Sequence, residues 1–130
     1  MLSVSLRKQT DAPIRILCLG AHCDDIEIGC GGTILTLLET YRKAAVDWVV
    51  FSSDQQRASE ARESANLFLK QAESTAHKKI ANILECFRSQ RTKHWFDDQT
   101  FLSMLRLRGM ESNAPDRYAE AFYSRKTVIA

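Results

Sequence analysis

What most constrains this chain is the order of three short segments near its start. Ile14 to Gly20 (IRILCLG) is an apolar run of strand length. Thr33 to Lys43 repeats apolar residues at Ile34, Leu37, Leu38 and Tyr41, which is helical spacing, and Val46 to Ser52 (VDWVVFS) is a second strand-like run. A strand, a helix and a strand at these separations form a βαβ unit with parallel strands and a right-handed crossover. A strand apolar on both faces is typical of the middle of a parallel sheet. The remaining segments predict more helix than strand. Residues 57 to 70 place Ala58, Ala61, Ala65 and Phe68 on one stripe, and Gln71 to Phe87 does so with Ala76, Ile80, Ile83, Leu84 and Phe87. A further helix is predicted over Asp98 to Arg108, and Arg117 to Ile129 has the pattern of a returning strand. The expected class is α/β.

Size and charge narrow the function. A chain of 130 residues suits one domain. Its net charge of +2, with basic residues scattered along the chain, gives no patch for nucleic acid or a membrane surface. The first residues, MLSVSLRKQTDAP, lack the apolar core of a secretory signal, and no apolar stretch reaches bilayer length. Cys18, Cys23, Cys30 and Cys86 form neither a CxxC pair nor a zinc-finger pattern, so reduced thiols in a cytoplasmic protein are expected.

Between the first strand and the helical repeat lies GAHCDDIEIGCGGT, residues 20 to 33. In an open α/β sheet this is the strand edge where ligands bind. Gly29, Gly31 and Gly32 would let the backbone turn sharply and approach a ligand, and the helix amino terminus would add positive potential. A dinucleotide phosphate loop is one reading, but the glycines do not give GxGxxG and no acidic residue closes the second strand. A second reading uses the side chains: His22 and Asp25 form a mixed pair suited to zinc, and Asp24 could act as general base for a metal-bound water. A plainer one has an aspartate capping the turn and His22 on the surface. Three ionisable groups beside an apolar strand are costly to desolvate unless they have a role.

The stretch Leu17 to Leu38 resembles the signature of the PIG-L deacetylase family, also called LmbE-like. The family's AHPDD and GCGGT-like turn correspond to Ala21-His22-Cys23-Asp24-Asp25 and Gly29-Cys30-Gly31-Gly32-Thr33. Ser53 to Leu69 (SDQQRASEARESANLFL) resembles the family's Arg- and Glu-bearing helix. Arg108-Gly109-Met110-Glu111-Ser112 and Tyr118-Ala119-Glu120-Ala121-Phe122 resemble its RGxES and YAEAF blocks. The resemblance implies a Rossmann-like, LmbE-type layered fold with a mostly parallel sheet. It also implies zinc-dependent removal of an acetyl group from N-acetylglucosamine-like sugars. His22 and Asp25 would then be metal ligands, Asp24 the catalytic base, and Arg57 a substrate-binding residue.

Two departures from the family pattern shape the expectation. Cys23 stands where the family usually has proline, and a thiol there could itself reach the metal. The family's later histidine- and aspartate-rich motif, source of the third zinc ligand and of an acid for the leaving amine, has no counterpart. Only His77 (TAHKKIANI) and His94 (RTKHWF) remain. Residues 1–130 are therefore read as a single domain of this type, shortened between about 70 and 87 and truncated relative to the family. Zn²⁺ would be weakly held, activity reduced or lost, and the exposed sheet edges paired in a homo-oligomer. The expected partner is a small N-acetyl sugar, with neither nucleic acid nor membrane. The alternative is a catalytically silent binding or interaction protein on the same scaffold.

Overall fold

Residues 13–41, 43–70 and 76–122 are described by a computed structural model. β1 (Ile14–Gly20) and β2 (Ala44–Val50) pair in parallel from Ile14 opposite Ala44 to Gly20 opposite Val50. The helix α1 (Asp25–Thr40) connects them, so the βαβ unit is present. α2 (Gln55–Lys70), α3 (Ala76–Cys86) and α4 (Asp98–Glu111) follow, with one turn of 3₁₀ helix at Arg88–Gln90. Among the described residues the fold is α/β, with a two-stranded parallel sheet and four α-helices.

Period-two alternation sets the sheet's two faces. Ile16, Cys18, Val46, Trp48 and Val50 turn inward onto Ile26 and Ile34 of α1. Leu17, Leu19, Val49 and Phe51 turn outward and are exposed, Phe51 by 71%. The main core lies between the helices. Leu35, Ala61, Phe68, Ile80, Ile83, Phe87, Phe96 and Phe101 are packed there, with the Trp95, Phe96 and Phe101 rings meeting edge-on. On α2 the buried stripe is Glu60, Ala61, Ser64 and Phe68, so two polar groups lie on the face that the alanine pattern marked as apolar. Glu60 is satisfied by the backbone N–H and hydroxyl of Ser89.

Three expectations change. The first helix begins at Asp25, eight residues before the apolar repeat, and so absorbs the glycines. No described glycine has positive φ. Gly31 sits where a Cβ would lie 2.7 Å from the Phe68 ring, so its small size serves helix packing instead of a turn. Second, residues 117–122 form no strand; the remainder of Arg117 to Ile129 lies outside the described residues. Arg117 has φ 65°, out of the β region, and Glu120 is drawn into a polar cluster beneath α1. Third, the helix read from Gln71 onward is seen from Ala76, residues 71–75 lying outside the described set.

Candidate active site

The strand end and the start of α1 bring the predicted residues into one corner. Asp25 opens the helix, and its Oδ2 accepts the backbone N–H of His22 at 2.8 Å. That bond folds the turn back and sets His22 Nδ1 3.4 Å from the same oxygen. Both side chains are open to solvent, His22 by 61% and Asp25 by 43%. The spacing can be tested against zinc. Two donors about 2.1 Å from an ion at a tetrahedral angle stand about 3.4 Å apart, so His22 Nδ1 and Asp25 Oδ2 fit two adjacent corners. Among the described residues no group of three or more His, Cys, Asp or Glu side chains converges as a metal site.

Asp24 is buried and points the other way. Its Oδ1 accepts from Nη2 of Arg57 at 3.3 Å. The position of Arg57 follows from the local sequence: Asp54 caps α2 by accepting the Arg57 backbone N–H at 2.8 Å, which puts Arg57 in the first turn. Arg57 was expected to meet substrate, and the fold places its guanidinium on the base candidate. Cys23 is fully buried, its thiol 3.0 Å from the Ser53 hydroxyl and 3.6 Å from the Ser52 carbonyl, directed into the loop after β2. His77 packs edge-on against Tyr118, with ring centres 5.8 Å apart, and His94 is exposed in the loop before α4.

A residue that sequence reasoning missed is Glu27, one helical turn beyond Asp24 on the same buried side of α1. It is fully buried and neither carboxylate oxygen has a hydrogen-bond partner among the described residues. Burial raises its pKa to about 7; nearby Ser64 opposes the rise without forming a bond of normal geometry, and the charges of Asp24 and Asp25 add to it. The signal was available in DDIE, because i and i+3 share a helix face, but only once the helix is known to start at Asp25. Cys30 is no candidate nucleophile: burial pushes its thiol up to about 12.

Two cavities of about 470 and 460 Å³ lie beside α4, and neither is lined by His22, Asp24 or Asp25. No protein-family model, curated protein or solved structure matches the chain.

Proposed function

We propose that this chain is a metal-assisted amide hydrolase of the PIG-L deacetylase kind, with a Rossmann-like ancestry for its βαβ unit. Its substrate would be an N-acetyl group on an N-acetylglucosamine-like sugar. The reading rests on one observation, the 3.4 Å separation of His22 Nδ1 and Asp25 Oδ2 at an open strand end. When bound there, zinc supplies Lewis-acid polarisation of a carbonyl and acidifies a water. In this reading Asp24 is the base for the attacking water, a role that requires its buried carboxylate to turn from Arg57 toward the His22–Asp25 corner. The solvent-open His22 ring leaves the outer side of the corner free for a bulky sugar. With two ligands where a catalytic zinc ordinarily has three, metal is weakly held and turnover by the isolated chain is low.

A reduced, cytoplasmic setting belongs to this reading, in keeping with four free cysteines. So does a homo-oligomer that covers Leu17, Leu19, Val49 and Phe51, since parallel sheets are ordinarily covered on both faces. A second reading, a silent small-molecule-binding protein, is favoured by the position of the two cavities away from the His22–Asp25 corner.

Zinc content and amine release decide between them. In equilibrium dialysis against zinc, wild-type protein should bind metal that His22→Ala does not. Release of amine from N-acetylglucosamine derivatives should be slight and should vanish in Asp24→Asn. Equal zinc in wild type and His22→Ala would remove the metal reading and leave the binding protein.

A further inference from the structure

Two apolar surfaces stand uncovered among the described residues, and they are complementary in kind. The first is the outer sheet face, where Leu17, Leu19, Val49 and Phe51 are exposed. The second is on α4. Its Phe101 and Leu105 are turned into the main core. Met104, Leu107 and Met110 recur every three residues along its solvent side and are 56%, 48% and 70% exposed. The Ala119 N–H, bonded to the Leu105 carbonyl at 3.1 Å, brings the following residues back to α4, and Phe122 adds an exposed ring there. A helix that is apolar on both sides is ordinarily buried on both.

The shapes correspond as well. Met104, Leu107 and Phe122 line one hollow of about 470 Å³, together with Ile28 of α1. Phe51 is the most exposed side chain of the sheet face and projects just past the end of β2. The charges allow contact: the Arg15–Asp47 pair borders the strands, and the Arg108–Glu111 pair lies on α4. Opposite signs are therefore present at both borders, and contact between the two surfaces brings no block of like charge together.

Area decides how the surfaces are used. From those exposures each offers on the order of 400 Å² of apolar area, about half of the roughly 800 Å² that one partner contributes to a stable interface. Either surface alone is too small, and the two together reach that size. A parallel sheet is ordinarily covered by helices on both faces, and α1 covers one of these two. The chain's own α4 cannot supply the second layer, because Phe101 and Leu105 hold its inner side in the core. The α4 of another copy can.

We propose that copies of this chain associate through unlike surfaces, the α4 stripe of one copy lying on the open sheet face of another. Phe51 of one copy is then seated in the hollow between Met104, Leu107 and Phe122 of its neighbour. Every copy gives one surface and receives the other. The inference rests on the oligomer proposed above and is independent of the metal corner.

Two surface variants test the unlike pairing, and both spare the fold because Phe51 and Leu107 lie outside the packed clusters. Sedimentation of wild type should give a mass above the monomer that falls on dilution. Phe51→Lys spoils the sheet face and Leu107→Lys the stripe, so each alone should need at least on the order of tenfold more protein to associate. Mixed one to one, they should recover a species of twice the monomer mass at a total concentration where neither variant forms it alone. One brings an intact stripe and the other an intact sheet face. A mixture no heavier than its separate components would overturn the proposal. So would association abolished by Phe51→Lys and untouched by Leu107→Lys, which would mean that sheet faces pair with themselves. A wild type monomeric at high concentration would remove the oligomer altogether, whereas failure on mixing removes only its α4 contact.

Discussion

Two polar centres of this molecule are built on α1, one on each side of its kink at Cys30, and they are opposites in environment. At the first turn His22 and Asp25 are 61% and 43% exposed and meet at 3.4 Å. Beyond Cys30, Lys79 and Glu120 are 3% and 8% exposed and meet at 2.6 Å, with three further donors on the carboxylate. The first centre is open to solvent, so its side chains are free to meet an outside group. The second has its acceptors filled and little water to screen it, so its integrity bears on whether the chain folds. One helix thus carries a loosely held site and a tightly held one, separated by a single non-helical residue.

The largest effect should come from breaking the tight centre. Lys79→Met leaves Glu120 buried with one donor fewer and without its cation, and should cost about 3–5 kcal/mol in urea unfolding. A loss below 1 kcal/mol would mean that the two centres differ less than their burial suggests.

Glu27 lies between the two, under the first turn, and should make stability depend on pH. Its carboxyl titrates near 4.5 when free and near 7 in the fold, because burial penalises the charge. Over that window the folded state keeps a proton that the unfolded state has released. The contribution of Glu27 is therefore complete below about 4.5 and declines as pH rises toward 7, by up to roughly 3 kcal/mol. Glu27→Gln should flatten this part of the profile in denaturant titrations at stepped pH. An unchanged slope would show that Glu27 finds a partner in solution.

The smallest effect belongs to the open centre. Arg57→Ala removes the partner of buried Asp24 and should cost about 1–3 kcal/mol, with zinc retention by His22 and Asp25 unaffected. Loss of zinc in that variant would tie the base candidate to the metal corner more closely than the geometry does.

Much of this was legible in the chain. The βαβ order was written in the apolar runs at Ile14 and Val46, because a strand with inward β-branched residues and a helix of period 3.6 each bury apolar area on their own pattern. The corner was legible too: His22, Asp24 and Asp25 are neighbours in sequence, and a turn between strand and helix keeps them so. The glycines were not. Gly31 and Gly32 read as turn residues, yet one clears the Phe68 ring and the other admits Glu120, contacts with residues dozens of positions away. Glu27 was missed for a related reason, since its burial depends on α2 supplying Ser64 and Phe68 over the same face of α1.

By itself, then, the sequence determined whatever depends on local periodicity and adjacency: the strand–helix–strand unit, the helix from Asp98, and the clustering of His22 with Asp25. Only the tertiary structure decided which charges are buried and with whom. It turned Arg57 onto Asp24 and left Glu27 without a hydrogen-bond partner among the described residues. It also took 117–122 away from the sheet to set Glu120 on Lys79. Those outcomes depend on desolvation and on donors that converge from α1, α3 and the segment after α4, and no pattern along the chain records that convergence.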